Sequence, residues 1–194
     1  MFSYNETDIY KGYTVQKLLQ WLRDNDYLKE FDEELDVEYE IPHIAYVEVK
    51  QETSKVCLFH KPVKKRTGTT YEIPVIMNLF ANYEVTKHIL GKHPDSVAKE
   101  IEQLLHMKPP SGFMDKLSML PRLFGLKNVF PKKSDKKGPC QQVVKTGDAI
   151  DLDALPILKT WEQDGGPFIT MGQVYTQSLD GQMQNLGMYR LQQY

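Results

Sequence analysis

The residues best suited to chemistry in this 194-residue chain form the run Asn185-Leu186-Gly187-Met188-Tyr189-Arg190, close to its last residue. The carboxamide oxygen of Asn185 is a neutral, hard ligand of the kind that Mg²⁺, Mn²⁺ or Ca²⁺ accepts. The guanidinium of Arg190 is a fixed fork that fits a carboxylate or a phosphate and stays charged at any working pH. An arginine in an otherwise apolar strand is costly to desolvate unless an anion meets it, so a site competes with packing as its explanation. Each residue also has a plain reading. Asparagines beside turns commonly satisfy local backbone groups, and an edge-strand arginine can simply pair across the sheet.

Spacing sharpens the question. Five residues separate Asn185 from Arg190, an odd number, so on a regular strand their side chains face opposite sides of the sheet. A site that uses both needs something to break the alternation, and Gly187 is the candidate, because glycine commonly marks a bulge or a close backbone approach. Alternatively, Met188 and Tyr189 offer main-chain groups while one side chain points inward.

The elements that would position this run are a β-hairpin and what precedes it. Strand 169–176, the turn Ser178-Leu179-Asp180-Gly181 and a return over 184–192 read as the hairpin. Gly165-Gly166-Pro167 reads as a sharp turn into it. A strand over 140–144 and an extended stretch over 151–156 come before. The first hundred residues alternate helix and strand. Thr14 caps a helix carrying Val15, Leu18, Leu19 and Leu22 on one face, closed by Asp24-Asn25-Asp26. A strand over 27–31 follows. Asp36 caps a second helix with Ile41, Ile44 and Ala45 inward, although Pro42 sits late for a first-turn proline. Strands over 56–59 and 73–80 flank a basic, turn-rich stretch, 61–70, that reads as a solvated loop. A helix over 83–90 closes at Gly91, and Asp95 caps another carrying Val97, Ile101, Leu104 and Leu105. Beyond Pro109-Pro110 the composition changes: 113–126 is apolar and helical in pattern, and 127–137 holds five lysines against one aspartate, a solvated crossing. The layout is an α/β module over 1–110, a connector over 111–138, and the opening strands of a β domain over 139–194. The β portion ends with an edge to pair, so the expectation is an N-terminal portion of a longer protein.

Composition excludes several classes. With 41% hydrophobic and 26% charged residues the chain sits among ordinary globular domains. A net charge of −2 gives no electrostatic case for nucleic acid. No apolar run approaches the ~20 residues of a transmembrane helix, and residues 1–11 lack the apolar core of a secretory signal. The two cysteines, Cys57 and Cys140, are far apart and suggest neither a disulfide framework nor a zinc site, which makes a reducing cytoplasm the default compartment. The five histidines (43, 60, 88, 93 and 106) show no metal-ligand spacing and read as surface or helix-end residues. There is no P-loop, no GxGxxG and no Ser/His/Asp set.

At the terminal run the chain resembles the UbiD family of decarboxylases. The blocks that carry the resemblance are Asp151-Leu-Asp-Ala-Leu-Pro156, Gly166-Pro-Phe-Ile-Thr170 and Asn185-Leu-Gly-Met-Tyr-Arg190, with Pro74-Val-Ile-Met-Asn78-Leu-Phe80 earlier. The resemblance implies a mixed α/β (α+β) fold, in which an N-terminal α/β domain precedes a split β-barrel that binds flavin. It implies reversible, non-oxidative decarboxylation of aromatic or α,β-unsaturated carboxylic acids. The implied cofactor is prenylated FMN, supplied by a partner flavin prenyltransferase, with Mn²⁺ on its phosphate and a monovalent cation such as K⁺ nearby. By motif match Asn185 is implied as a metal ligand; Met188, Tyr189 and Arg190 as cofactor contacts; and Arg190 also as the catalytic residue that positions the substrate carboxylate. Thr170 is implied to line the same pocket. The family's remaining metal ligands and catalytic acids have no counterpart here and are expected after Tyr194, so residues 1–194 alone are expected to be inactive. The substrate class includes hydroxybenzoate or naphthoate intermediates of ubiquinone or menaquinone synthesis, with peripheral membrane association and a homo-oligomer expected of the whole protein. Two other classes stay open: a non-catalytic assembly domain, and an ordinary FMN-binding split barrel doing redox work.

Overall fold

The computed structural model describes residues 14–106, 138 and 141–194. The apolar helix expected over 113–126 and the lysine-rich stretch over 127–137 lie outside the described residues. The chain divides into two compact units, Met1–Pro94 together with Asp151–Tyr194, and Asp95–Ile150.

The first unit is organised by one strand. β2 (Val56–Lys64) carries four consecutive buried residues, Val56, Cys57, Leu58 and Phe59, as expected of a strand covered on both faces. β1 (Leu28–Asp36) pairs with it in parallel, Leu28 opposite Val56 and Asp36 opposite Val63, with an irregularity between Phe31 and Glu34. A parallel pair needs a crossover connection, and α2 (Glu40–Val49) supplies it. Because β1 runs along one whole edge of β2, the other edge is left to two short antiparallel strands. β3 (Thr69–Thr70) pairs with Val63–Lys64, and β4 (Val75–Met77) pairs with Cys57–Phe59.

The alternation of β2 divides the core in two. Cys57 and Phe59 pack with Val37, Ile41, Tyr71, Val75 and Leu158, and Phe31 stacks on Phe59 at 4.7 Å between ring centroids. Val56 packs instead with Leu18 and Leu22 of α1 (Val15–Asp24) and Val85 of α3 (Tyr83–Leu90). Helix α2 therefore covers one face, and α1 with α3 the other. Trp21 links α1 to α3 by stacking on His88, whose pKa burial pushes down.

Local signals account for several of these bounds. The Thr14 hydroxyl accepts the Lys17 amide at 3.3 Å, and the Asn82 side chain accepts the amides of Glu84 and Val85. Gly91 closes α3 at φ 73. Val15, expected inward, is 61% exposed.

Several further expectations fail. Asp36 does not cap α2: the helix begins at Glu40 after Tyr39, and Asp36 instead accepts the Glu38 amide at 3.0 Å. Tyr39 is held at φ 75, a region that a bulky residue enters only when its surroundings impose it, at ~1–3 kcal/mol. The cause is tertiary. The Tyr39 amide donates to the Lys159 carbonyl at 3.0 Å, and the Lys159 amide to the Val37 carbonyl at 3.1 Å. Residues 61–70 are not simply a solvated loop, since β2 runs to Lys64 and Lys64 is buried against Asp153, Nζ to Oδ1 3.0 Å. The strand expected over 73–80 shortens to Val75–Met77, ending where Asn78 turns to φ 62 and donates from Nδ2 to the Ala45 carbonyl at 2.8 Å. Gln142 and Val143 are bend rather than strand, and Leu152–Leu155 is turn and bend rather than extended.

In the second unit, α4 (Pro94–Leu105) starts one residue before Asp95, which lies in its first turn rather than capping it. A single 3₁₀ turn spans Gly147–Ala149.

On the first unit's surface Glu30 takes a two-pronged contact from Arg23, Nε to Oε1 2.7 Å and Nη2 to Oε2 2.9 Å, while His60 lies 2.7 Å from Oε2. The Arg23 hydrogen bond leads in holding the Glu30 carboxyl at about 2, against an ordinary 4.5, with His60 adding to it. A lowered carboxylate pKa contributes stability above the unfolded value, and that stability is lost as pH falls through the folded one. Chemical denaturation of wild type should therefore show a loss between about pH 4.5 and about pH 2 that Glu30→Gln flattens. Equal acid profiles for the two proteins would remove Glu30 as the cause.

Candidate cofactor-binding hairpin

β5 (Phe168–Gln177) and β6 (Gln184–Gln192) form an antiparallel ribbon joined at Ser178-Leu179-Asp180-Gly181, as expected of that turn. Ser178 and Asp180 fasten the turn: Asp180 Oδ1 accepts the Gln182 amide at 3.1 Å, and the Met183 amide donates to Ser178 Oγ at 2.9 Å.

The pairing is regular from Gln184 opposite Gln177 to Tyr189 opposite Gly172, and Gly187 sits within it opposite Val174. Gly187 therefore does not break the alternation. Asn185, Gly187 and Tyr189 share one face, and Arg190 belongs to the other. The contacts agree: Asn185 Nδ2 donates to the Tyr189 hydroxyl at 3.4 Å across Gly187. A Cβ at 187 would overlap the Tyr189 ring, so the glycine is the slot that ring crosses. This use of Nδ2 leaves Asn185 Oδ1 for another partner.

The irregularity lies on β5. Ile169 pairs with Leu191 and Gly172 with Tyr189, so Thr170 and Met171 together oppose Arg190, two residues against one. Arg190 reaches away from Asn185, its guanidinium lying 3.6 Å over the Phe168 ring and donating from Nη2 to Asp164 Oδ2 at 2.9 Å. Its side chain is 45% exposed and that of Asp164 13%, so the arginine is half-buried and paired rather than sealed in a core. Sequence reasoning missed Asp164 and Phe168. The available signal was an acid immediately before Gly165-Gly166, a turn that returns the chain beside β6.

Gly166 is required by a close approach of backbone, whereas Gly165 faces only the movable end of the Gln192 side chain. A Cβ on Gly166 would lie 2.8 Å from the Gln193 carbonyl oxygen, and one on Gly165 2.8 Å from Gln192 Nε2. The Gln193 amide donates to the Pro167 carbonyl at 2.9 Å and closes the contact. Behind this turn lies a cavity of about 670 Å³ lined by Tyr39, Lys64, Arg66, Asp153, Lys159 and the two glycines among others. Two of its cations are answered by carboxylates, Lys64 by Asp153 and Arg66 by Glu38 at 3.4 Å, and Lys159 lies over the Tyr39 ring with Nζ 5.5 Å from the centroid. Neither Asn185 nor Arg190 lines it.

Among the described residues no group of three or more His, Cys, Asp or Glu is placed to hold a metal ion, so Asn185 offers one hard oxygen and no completed centre. The Arg190 fork fits an anion better, because Asp164 engages Nη2 alone. The described helices include none long and apolar enough to cross a membrane.

Two family models meet on this chain. The N-terminal domain of 3-octaprenyl-4-hydroxybenzoate carboxy-lyase (UbiD) matches residues 19–105, and the Rift-related domain of the same enzyme matches 132–194. The chain belongs to the UbiD family. An uncharacterized protein of Helicobacter pylori is 42% identical over 93% of this chain and 29% of its own length, and one of Aquifex aeolicus is 34% identical over 87% and 35%. The chain thus spans about a third of the relatives it matches. Among solved structures, the vanillic acid decarboxylase of Sedimentibacter hydroxybenzoicus in its closed form superposes with a TM-score of 0.66 at 21% identity, covering 95% of this chain and 36% of that one. The UbiD-class enzyme HmfF of Pelotomaculum thermopropionicum, in complex with FMN, gives 0.60 at 19%, covering 91% and 34%. The mixed α/β fold is that of the UbiD class, seen in part.

The two kinds of glycine contact separate in a stability test. Gly166→Ala drives a Cβ into backbone and should cost ~1–3 kcal/mol. Gly187→Ala meets only a half-exposed ring free to swing, and should stay within ~0.5 kcal/mol. Thermal or urea unfolding of both variants checks the register, which equal losses would contradict.

Proposed function

We propose that this chain is the N-terminal and cofactor-binding part of a carboxy-lyase that removes CO₂ non-oxidatively from an aromatic or α,β-unsaturated carboxylic acid, with prenylated FMN as cofactor. The observation that carries this reading is Arg190, stacked on Phe168 and hydrogen-bonded through one end only, in a chain matched by both UbiD domain models. The flavin, when bound, supplies the electron sink that loss of CO₂ from carbon demands and that no side chain here offers. Arg190 supplies the fixed positive fork. It orients an anionic oxygen of the acid or the cofactor and is preorganised before the ligand arrives. Met188, on the same face as Arg190, would meet the cofactor beside it, Tyr189 would reach it through main-chain groups, and Asn185 would offer one neutral oxygen toward Mn²⁺ from the reverse face, with further ligands and the catalytic acids coming from outside residues 1–194. A monovalent cation such as K⁺ belongs to the same assembly.

The matched family's description, a carboxy-lyase of a prenylated hydroxybenzoate, favours an aromatic acid of quinone synthesis as substrate. With it go a flavin prenyltransferase as cofactor supplier, a homo-oligomeric cytoplasmic enzyme, and contact with the membrane surface where polyprenylated acids reside. The division into an α/β domain over 1–110, a connector and a split barrel from 139 belongs to the same reading.

The test is to express the full-length protein with a flavin prenyltransferase and identify the bound flavin by absorption and mass spectrometry. Prenylated FMN, with CO₂ released from an aromatic acid, is the expected result; unmodified FMN with redox turnover would favour the ordinary flavoprotein. In the active protein Arg190→Ala should lower kcat/KM by ~10²-fold or more, as for other preorganised charge contacts.

A further inference from the structure

Arg190 is held by two constraints that do different things. The Phe168 ring, 3.6 Å below, fixes the plane of the guanidinium but leaves it free to turn within that plane. The 2.9 Å bond from Nη2 to Asp164 Oδ2 stops the turning. Of the two partners Asp164 is the anchored one. Its Oδ2 also accepts the Trp161 amide at 3.2 Å, and its side chain is the more sheltered. Its place is set by main chain: Gly165 and Gly166 press the turn against Gln192 and Gln193, two and three residues past Arg190, and the Gln193 amide locks it to Pro167.

We propose that Asp164 is the positioning residue for Arg190, fixing which guanidinium donors, Nε and Nη1, face an anionic oxygen of the ligand. The acid lies 26 positions from the arginine and acts through it, touching no ligand itself. It also tempers the charge of the fork, so that the arginine meets its ligand from a defined pose rather than collapsing onto any anion. This assignment rests on Arg190 meeting an anion, as proposed above, whether that oxygen belongs to a flavin phosphate or to a substrate carboxylate.

A double-mutant cycle in the full-length protein tests it. FMN affinity, from quenching of flavin fluorescence, reads a phosphate on the fork; benzoate affinity of the FMN-loaded protein reads a carboxylate. In at least one arm Asp164→Ala should weaken binding about tenfold, the scale of one charge-assisted hydrogen bond. In the Arg190→Ala background the same change should cost less than about twofold. Asp164→Asn keeps an acceptor for both the Trp161 amide and Arg190, and should recover part of the affinity with an unchanged Tm; it carries the test if the alanine variant fails to fold. Equal costs in both backgrounds would show a merely structural aspartate and overturn the proposal, as would no cost in either arm. Wild type that binds neither FMN nor benzoate would overturn this assignment and the flavin reading together, whereas normal wild-type binding with additive variants sinks the assignment alone.

Discussion

The first compact unit depends on a short main-chain grip made by Leu158-Lys159. The Lys159 amide and carbonyl bond Val37 and Tyr39 on either side of Glu38, a parallel bridge, while Leu158 enters the core beside Phe59. Leu158 also accepts the Phe168 amide at 2.9 Å, so one dipeptide ties the β1–α2 junction to the first residue of β5. Burying an apolar side chain of this size contributes ~1.5–3 kcal/mol, enough to offset the strain at Tyr39 that the same bridge imposes. Without it a two-stranded ribbon exposing Ile169, Tyr175, Leu186 and Met188 would have little to hold it in place.

From that anchor the chemistry follows in order. Phe168 begins the strand and lends its ring to Arg190, the turn before it delivers Asp164, and two residues on β5 facing one on β6 give the arginine room. Asn185 and Tyr189 occupy the reverse face. The terminal run is therefore two-sided in this chain, with an amide oxygen on one face and a cation on the other, rather than one pocket bent around Gly187.

Legibility in the sequence followed the range of the cause. α3 and the β5–β6 turn were readable because Asn82, Gly91, Ser178 and Asp180 act on neighbours within a few residues. The start of α2 was misread because Asp36 is a good local cap, whereas Tyr39 is set by Lys159, far along the chain. The lysine-rich end of β2 looked solvated because the partner that lets Lys64 be buried is Asp153. The blocks of the terminal run point to the family directly, yet spacing within β6 puts the irregularity at Gly187 when it falls on β5, since a bulge belongs to a pair of strands and the spacing within one carries no record of the other. Asp164 escaped for the same reason: an acid beside two glycines reads as turn chemistry until the other strand is laid next to it.

One further consequence attaches to β1. Among the described residues it is paired on one side only, and along that strand stand Glu30, Asp32, Glu33 and Glu34 with a kink in their midst. A border of like charges with broken register repels a second copy and cannot zip onto another strand, a safeguard against fibrous association.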